Sequence, residues 1–202
     1  MRAIEVLRQG TPVAPNVRFT GGRSECTPAP GEVRVRTEAS ALNHLDLWVG
    51  RGLPGIEVQW PTIGGSDGVG IVDTVGAGVD AAWVGKRVIL NAAIMRPEAP
   101  RPGHAPSGED IFMIGEHCPG THAEYFVAPA TNVLEIGDID PVHAAAFGRS
   151  AEPQRLLRTR TSVSACGALG VLAWRLGCQL WDARTVAVAG ECPGLRRRSG
   201  PG

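Results

Sequence analysis

The most regular hydrophobic pattern in the chain is an alternation between positions 32 and 39. Apolar or β-branched residues occupy Val33, Val35, Thr37 and Ala39, and charged residues occupy the positions between them. A period of two residues predicts a β-strand with one buried face. Four further apolar runs predict shorter strands, at 69–75, 87–90, 123–128 and 133–136. The pattern therefore predicts a mainly β fold built from consecutive short strands.

Three stretches depart from this pattern. Residues 40–49 predict helical or irregular structure, and residues 141–147 predict a short helix with Asp140 as its N-cap. Residues 97–110 contain four prolines and few apolar side chains, which predicts a long exposed loop. We therefore expect the strands to be accompanied by one or two short helices.

Composition narrows the class of protein. Glycine and proline account for 27 and 16 of 202 residues, which agrees with many short elements joined by turns. With 43% hydrophobic residues, 20% charged residues and a formal net charge of zero, the chain is neither a disordered polyelectrolyte nor a uniformly basic nucleic-acid-binding protein. No apolar run approaches the roughly 18 residues of a membrane span, and the charges at Arg2, Glu5 and Arg8 argue against a signal peptide. We expect a cytoplasmic protein with no nucleic-acid or membrane partner.

The charge is distributed unevenly along the chain. Residues 1–148 contain 17 acidic and 11 basic residues, whereas residues 149–202 contain 3 and 9. We expect the first segment to be the folded domain and the second to be an irregular basic tail, poorly ordered or loosely docked. Within this tail, residues 163–176 are compatible with a helix and residues 185–189 with a strand.

Four motifs occur in order within residues 1–148. They are 39–48 (ASALNHLDLW), 64–78 (GGSDGVGIVDTVGAG), 85–88 (GKRV) and 120–127 (GTHAEYFV). With these motifs the segment resembles the GroES-like catalytic domain of the medium-chain dehydrogenase/reductases, close to the zinc-type alcohol dehydrogenase-like and quinone oxidoreductase branches. The resemblance implies a GroES-like partly open β-barrel. In the family this barrel is followed by a Rossmann domain that binds NAD(P)(H), and hydride transfer takes place in the cleft between them.

The chain departs from the family at the zinc ligands. Zinc-dependent members place a Cys, and later a His-Glu pair, around the catalytic metal, whereas the matching positions here hold Asn43 and Ser66-Asp67. An amide and a hydroxyl are poor replacements for a thiolate and an imidazole. The region near 92–114, where many members hold a structural zinc with four cysteines, contains no cysteine. We expect no zinc.

The dinucleotide motif is the second departure. After residue 148 the only glycine pairs that resemble it are Gly167-Ala-Leu-Gly170 and Gly190-Glu-Cys-Pro-Gly194, and neither is G-x-G-x-x-G. Gly76-Ala-Gly78 lies between two predicted strands and predicts a β-turn. We therefore expect no cofactor-binding residues in this chain. The arginine-rich, lysine-free composition after residue 148 suggests a shifted reading frame or the loss of a C-terminal half.

The candidate catalytic residues are Asn43, His44 and Asp46. The resemblance places their loop beside the nicotinamide and the substrate in zinc-free members, where an amide can hydrogen-bond a carbonyl oxygen and orient it for hydride transfer. The alternative is a capped turn in which Asn43 and Asp46 satisfy backbone N–H groups.

Two other groups of residues are weaker candidates for a functional site. One thiol and two imidazoles, at His117, Cys118 and His122, suggest a metal site, but a fourth ligand is unclear and a proline-glycine turn separates them. Ser66-Asp67 with a histidine suggests a nucleophilic triad, but no nucleophile-elbow pattern surrounds the serine.

The resemblance implies a zinc-independent, NAD(P)(H)-dependent oxidoreductase acting on a small carbonyl, alcohol or quinone, and inactive as this chain alone. The alternative is a non-catalytic β-domain, either a remnant or a binding module. We also expect exposed apolar surface around Trp48, Trp60 and residues 141–147, where family members contact their Rossmann domain. Such a face favours homo-oligomers or aggregation.

Overall fold

The computed structural model describes residues 1–95, 110–147, 171–174 and 186–189. Strands dominate this part of the chain, as predicted. They are β1 (Ala3–Val6), β2 (Val17–Thr20), β3 (Glu32–Leu42), β4 (Thr62–Ile63), β5 (Asp67–Val75), β6 (Arg87–Leu90), β7 (Ala93–Met95), β8 (Ile111–Met113), β9 (Tyr125–Pro129), β10 (Val133–Glu135), β11 (Val171–Trp174) and β12 (Val186–Ala189). The helices in these ranges are α1 (His44–Arg51) and α2 (Pro141–Phe147).

The long strand β3 organises the main sheet. It pairs antiparallel with β5 and with β9, and the sheet continues from β5 through β6 to β10. Val33 and Val35 are fully buried, which confirms the alternation, and the strand extends three residues beyond the predicted end, to Leu42. A small sheet in the order β2-β1-β4 and the β7-β8 hairpin complete the partly open barrel.

Helix α1 packs against the barrel core. Leu45 and Val49 on its inner face are 3% and 2% exposed and join a cluster with Val72, Leu90 and Phe126. Burying an aliphatic side chain of this size contributes about 1.5–3 kcal/mol. This packing fixes the position of the loop that precedes the helix.

Helix α2 begins at Pro141, as predicted. The Asp140 Oδ1 accepts the Val142 and His143 amides, both at 3.0 Å, and thus caps the helix. Ala144 and Ala145 are buried against residues of the main sheet. The expectation of an exposed apolar surface is therefore wrong at these two residues.

The exposed-surface expectation holds unevenly elsewhere. Trp48 on α1 is 48% exposed, as expected. Trp60 instead packs partly buried against the main core. No helix in the described ranges is long and apolar enough to cross a membrane.

The C-terminal segment contains two described strands. The prediction of a strand at 185–189 is confirmed by β12, which pairs parallel with residues 40–42 of β3. The prediction of a helix over 163–176 is wrong at Val171–Trp174, because this backbone pairs antiparallel with β12 instead of bonding within a helix. Residues 97–109 of the predicted loop lie outside the described residues, as do the glycine turns near Gly167 and Gly190.

Candidate functional site

The loop between β3 and α1 is a reciprocal capping box. The Asn43 Oδ1 accepts the Leu45 amide at 3.1 Å, and the Asn43 amide donates to Asp46 Oδ2 at 2.7 Å. Such a box satisfies the otherwise unpaired amides at the start of a helix. The capped turn expected as the alternative is thus present. The catalytic role of these residues stays a prediction.

The side-chain amide of Asn43 connects this loop to the start of β5. Its Nδ2 donates to Asp67 Oδ2 at 2.9 Å, and Asp67 is 4% exposed. The resemblance places both positions around the catalytic zinc of zinc-dependent members, where position 43 holds a cysteine ligand. A direct side-chain hydrogen bond joins them in this chain.

Asp46 is a partly buried carboxylate with several donors around it. Its Oδ1 accepts the Gly65 amide at 2.9 Å and lies 3.5 Å from His122 Nε2, and its Oδ2 accepts the Asn43 amide. Burial alone would raise the pKa of Asp46, but His122 and the two backbone amides outweigh it, and the pKa is lowered. Asp46 is therefore ionised at neutral pH.

His122 continues this polar cluster to β3. Its Nδ1 lies 2.7 Å from Ser40 Oγ, which lies 2.8 Å from Thr121 Oγ1. Both hydroxyls lie within 3.0 Å of the Asp67 carbonyl oxygen, and Ser40, Thr121 and His122 are all buried. Sequence reasoning missed Ser40 and Thr121 and considered His122 only as a metal ligand. The signal available was the string 120–127, which the resemblance had already singled out.

Two glycines permit the close contact between the strings 64–78 and 120–127. Gly65 has φ +100°, and a Cβ there would lie 2.5 Å from Thr121 Oγ1 and 2.7 Å from His122 Nδ1. A Cβ at Gly120 would lie 2.1 Å from the Gly65 carbonyl oxygen. Only glycine fits at these positions without moving the backbone or the polar cluster.

His44 lies apart from the cluster. Its side chain is exposed and stacks on Trp48, with ring centroids 6.1 Å apart and an angle of 22° between the planes. The structure therefore joins two of the three predicted residues, Asn43 and Asp46, and leaves His44 on the outer face of α1. Leu42 and Leu47 are also exposed here, at 44% and 43%.

The residues at the family's zinc positions do not fit zinc. Both polar atoms of the Asn43 side chain are used, by Leu45 and Asp67. Ser66 is 1% exposed, and its hydroxyl has no hydrogen-bond partner among the described residues. No group of three His, Cys, Asp or Glu in the same ranges could share a metal ion. The donor set matches a hydrogen-bonded turn better than a zinc centre.

The second suggested metal site is equally unsuited to zinc. The His117 Nδ1 accepts the Met113 amide at 3.1 Å, and its ring lies against Phe112 at a centroid distance of 5.1 Å. Burial raises the pKa of Cys118 to about 11, so its thiol is protonated at neutral pH. No group of three His, Cys, Asp or Glu side chains in the described ranges, this one included, could hold a metal ion.

Neither α-helix of the described residues follows a dinucleotide-binding turn. Helix α1 begins at the capping residue Asn43 and α2 at the capping residue Asp140, and neither is preceded by G-x-G-x-x-G. A dinucleotide needs such a turn to bring the backbone close to its pyrophosphate.

A separate apolar cavity of about 300 Å³ lies in the barrel. Ile63, Ile94, Phe112 and Cys118 are among its lining residues, and Asn43, His44 and Asp46 are not. The cavity and the candidate site are therefore different features of the domain.

Comparison with known proteins identifies the domain. Residues 29–138 match the family model of the alcohol dehydrogenase GroES-like domain. An alcohol dehydrogenase of Geobacillus stearothermophilus is 38% identical over 119 residues, covering 57% of this chain and 35% of the relative. An L-threonine 3-dehydrogenase of Anaeromyxobacter sp. (strain Fw109-5) is 30% identical over 158 residues, covering 70% of this chain and 45% of the relative.

Solved structures agree with this match. A crystal structure of an NAD-dependent alcohol dehydrogenase is 35% identical with a TM-score of 0.62, covering 73% of this chain and 43% of that one. An alcohol dehydrogenase from E. coli CFT073 complexed with NADH is 26% identical with a TM-score of 0.61 and covers 73% and 42%. The chain spans 18–51% of the length of the curated relatives it matches. The family match and the barrel together establish that this chain belongs to the alcohol dehydrogenase GroES-like domain family of the medium-chain dehydrogenase/reductase superfamily.

Proposed function

We propose that residues 1–147 form the substrate-side domain of an NAD(P)(H)-dependent oxidoreductase that acts on a small alcohol, carbonyl or quinone without catalytic zinc. The hydrogen bond from Asn43 Nδ2 to Asp67 Oδ2 carries the proposal. It joins two positions that lie around the catalytic metal in zinc-dependent members, and it supports a site in which the Asn43 amide orients the substrate. The relatives that are alcohol and threonine dehydrogenases support the reaction class.

Asn43 is the group we expect to contact substrate. Asp67 accepts a hydrogen bond from one N–H of the Asn43 side-chain amide. The second N–H of this amide is available to donate to a substrate oxygen. The capping box and Asp46 hold this amide in one orientation, which lowers the cost of positioning the substrate. The NAD(P)(H), when bound, would donate or accept the hydride.

The outer face of α1 supplies the surroundings of this site. Trp48 and Leu47 are exposed and apolar, and His44 stacks on Trp48. An apolar rim of this kind excludes water from a substrate held at Asn43. We propose that the same face meets a second domain or a second copy of the chain.

Turnover should require a dinucleotide-binding domain, because neither α-helix of the described residues follows a dinucleotide-binding turn. The test mixes the full chain with the separately produced dinucleotide-binding domain of an alcohol dehydrogenase relative, and follows NADH and NADPH oxidation with quinone and aldehyde substrates. We expect turnover only in the mixture, and no loss of it with a chelator.

Two variants separate the roles of Asn43. Asn43→Ser keeps an oxygen for the helix cap but removes the amide donor, whereas Asn43→Ala removes both. We expect both to reduce turnover about 100-fold, as for loss of an oriented donor, and only Asn43→Ala to lower stability, by about 1 kcal/mol. Turnover by the full chain alone, or chelator-sensitive turnover, would contradict the proposal. No turnover in any mixture would favour the non-catalytic alternative.

A further inference from the structure

Two buried side chains and one partly buried carboxylate lie in series beside the Asn43 loop. Ser40 Oγ contacts His122 Nδ1 at 2.7 Å, and His122 Nε2 lies 3.5 Å from Asp46 Oδ1. The His122 side chain is 5% exposed and that of Asp46 is 16% exposed. Ser40 lies near the end of β3 and Asp46 lies in the first turn of α1. His122, 82 positions from Ser40, connects the two.

The hydrogen-bonding capacity of these groups determines where the imidazole proton lies. Asp46 is a carboxylate that can only accept, and it already accepts the Asn43 and Gly65 amides. A bare Nε2 facing it would place two acceptors against each other in a buried site, which is costly. Nε2 must therefore carry a proton.

The hydroxyl groups on the other side of the ring are compatible with this arrangement. With Nε2 protonated and the ring neutral, Nδ1 accepts the Ser40 hydroxyl, and the Thr121 hydroxyl donates to the Asp67 carbonyl oxygen. With both ring nitrogens protonated, Nδ1 donates to Ser40, whose hydroxyl turns to Asp67. In both states the Nε2 proton lies on the side of the ring nearest Asp46, whose Oδ1 is 3.5 Å from Nε2.

We infer that His122 is a positioning residue. It holds Asp46 through an Nε2–H donor, and Asp46 in turn fixes the backbone of Asn43 and thereby the position of the Asn43 side-chain amide. Asp46 touches the backbone of both Asn43 and Gly65, so a displaced carboxylate loosens the helix cap and the turn before β5 together. The consequence for catalysis rests on the proposed function. The position of the His122 proton and its effect on the Asn43 loop are independent of that function.

The proton position is tested directly in the full-length wild-type chain. A long-range ¹H–¹⁵N correlation spectrum of histidine-labelled protein distinguishes a ring protonated at Nε2 from one protonated only at Nδ1. We expect His122 to carry the Nε2 proton at neutral pH. A ring protonated at Nδ1 alone would overturn the inference.

Two substitutions test the effect on the loop by amide hydrogen exchange. His122→Phe fills a similar volume without a donor, and His122→Gln keeps a donor near the position of Nε2. In His122→Phe we expect the Asn43 and Gly65 amides to exchange about tenfold faster, whereas in His122→Gln they should stay within about threefold of wild type.

The Val72 and Asn91 amides serve as internal controls, since both have backbone acceptors elsewhere in the barrel. Unchanged exchange at Asn43 and Gly65 in His122→Phe would overturn the inference, as would equal loosening in the Phe and Gln variants. If His122→Phe also loses protection at the controls, Ser40→Ala replaces it. Ser40→Ala removes the partner of Nδ1 and leaves Asp46 in place, so the His122 proton should stay on Nε2, and a shift of that proton to Nδ1 would count against the inference. No readout uses a cofactor or turnover, so failure here is distinguishable from failure of the proposed function.

Discussion

The described residues contain two histidine–carboxylate pairs at the same separation, but only one of them can form a hydrogen bond from a neutral imidazole to the carboxylate. His122 and Asp46 are 3.5 Å apart, as are His117 and Glu116. The Nδ1 of His117 that faces Glu116 already accepts the Met113 amide, so in the neutral ring it has no proton to give. The Nε2 of His122 is buried without a hydrogen-bond partner among the described residues, and it lies 3.5 Å from an ionised carboxylate. Hydrogen-bond accounting, more than distance, separates a structural pair from a chance approach.

The largest expected effect is the loss of Asp46. Asp46→Ala removes the acceptor of two backbone amides and leaves the buried His122 ring without its partner, so we expect about 3 kcal/mol of destabilisation. Glu116→Ala is the matched control in the other pair and should cost less than about 1 kcal/mol. Urea unfolding of both variants gives the free energies. Equal losses would erase the distinction drawn between the two pairs.

The next effect concerns the glycine that makes room for the cluster. Gly65→Ala places a methyl group against Thr121 and His122 at a positive φ, and we expect it to cost about 2–3 kcal/mol. Gly78→Ala has a positive φ too, of +80°, but nothing within 4 Å of the added carbon, and should cost about 1 kcal/mol. Thermal or urea unfolding of the two variants measures the difference. A Gly65 variant as stable as the Gly78 variant would show that the cluster is loosely packed.

A smaller effect is expected on acidification. The pKa of Asp46 is lower in the folded chain than in the unfolded one, so its contribution to stability is complete above the unfolded value near 4 and is lost as the pH falls through the folded value. Asp46→Asn removes this titration and should flatten the acid side of the stability profile. The measurement is the urea midpoint from pH 7 down to pH 3. Parallel profiles for wild type and variant would mean that Asp46 does not titrate in this range.

The smallest effect lies in the segment beside His117. Because burial raises the pKa of Cys118 to about 11, its thiol should be alkylated on the order of 100-fold more slowly than a free cysteine at pH 8, and the rate should rise toward pH 11. Site-resolved mass spectrometry after timed iodoacetamide treatment follows this one residue. Alkylation at the rate of a free thiol would place Cys118 in an open, polar environment, and a metal site there would need new consideration.

The local pattern of apolar and polar residues predicted those strands and helices whose buried face follows from their own sequence. The alternation at 32–39 became β3, the run at 87–90 became β6 without change, and Asp140 caps α2. The small sheet was not predicted. Strand β1 is held by a buried Glu5 that pairs with Arg18 and Arg23, and such long-range ion pairs leave no period in the sequence.

The candidate site was predicted only in part, for a similar reason. The resemblance indicated Asn43 and Asp46, and capping preferences explain their local hydrogen bonds. The contact between Ser40 and His122 spans 82 positions of the chain and depends on the approach of two glycine-containing turns. Neither periodicity nor composition reports such a contact. The stacking of His44 on Trp48 follows instead from local helix geometry.

The central claim is that Asn43 and Ser66, at the family's zinc-ligand positions, hold no zinc, and that the Asn43 side-chain amide is hydrogen-bonded to Asp67 instead. The most direct test is the zinc content of the full chain, produced in zinc-supplemented medium, dialysed and measured by elemental analysis. The account predicts well below about one zinc per ten chains, in both wild type and Asn43→Ala, because an amide and a hydroxyl are weak zinc ligands. One zinc per chain in wild type, lost in Asn43→Ala, would contradict it.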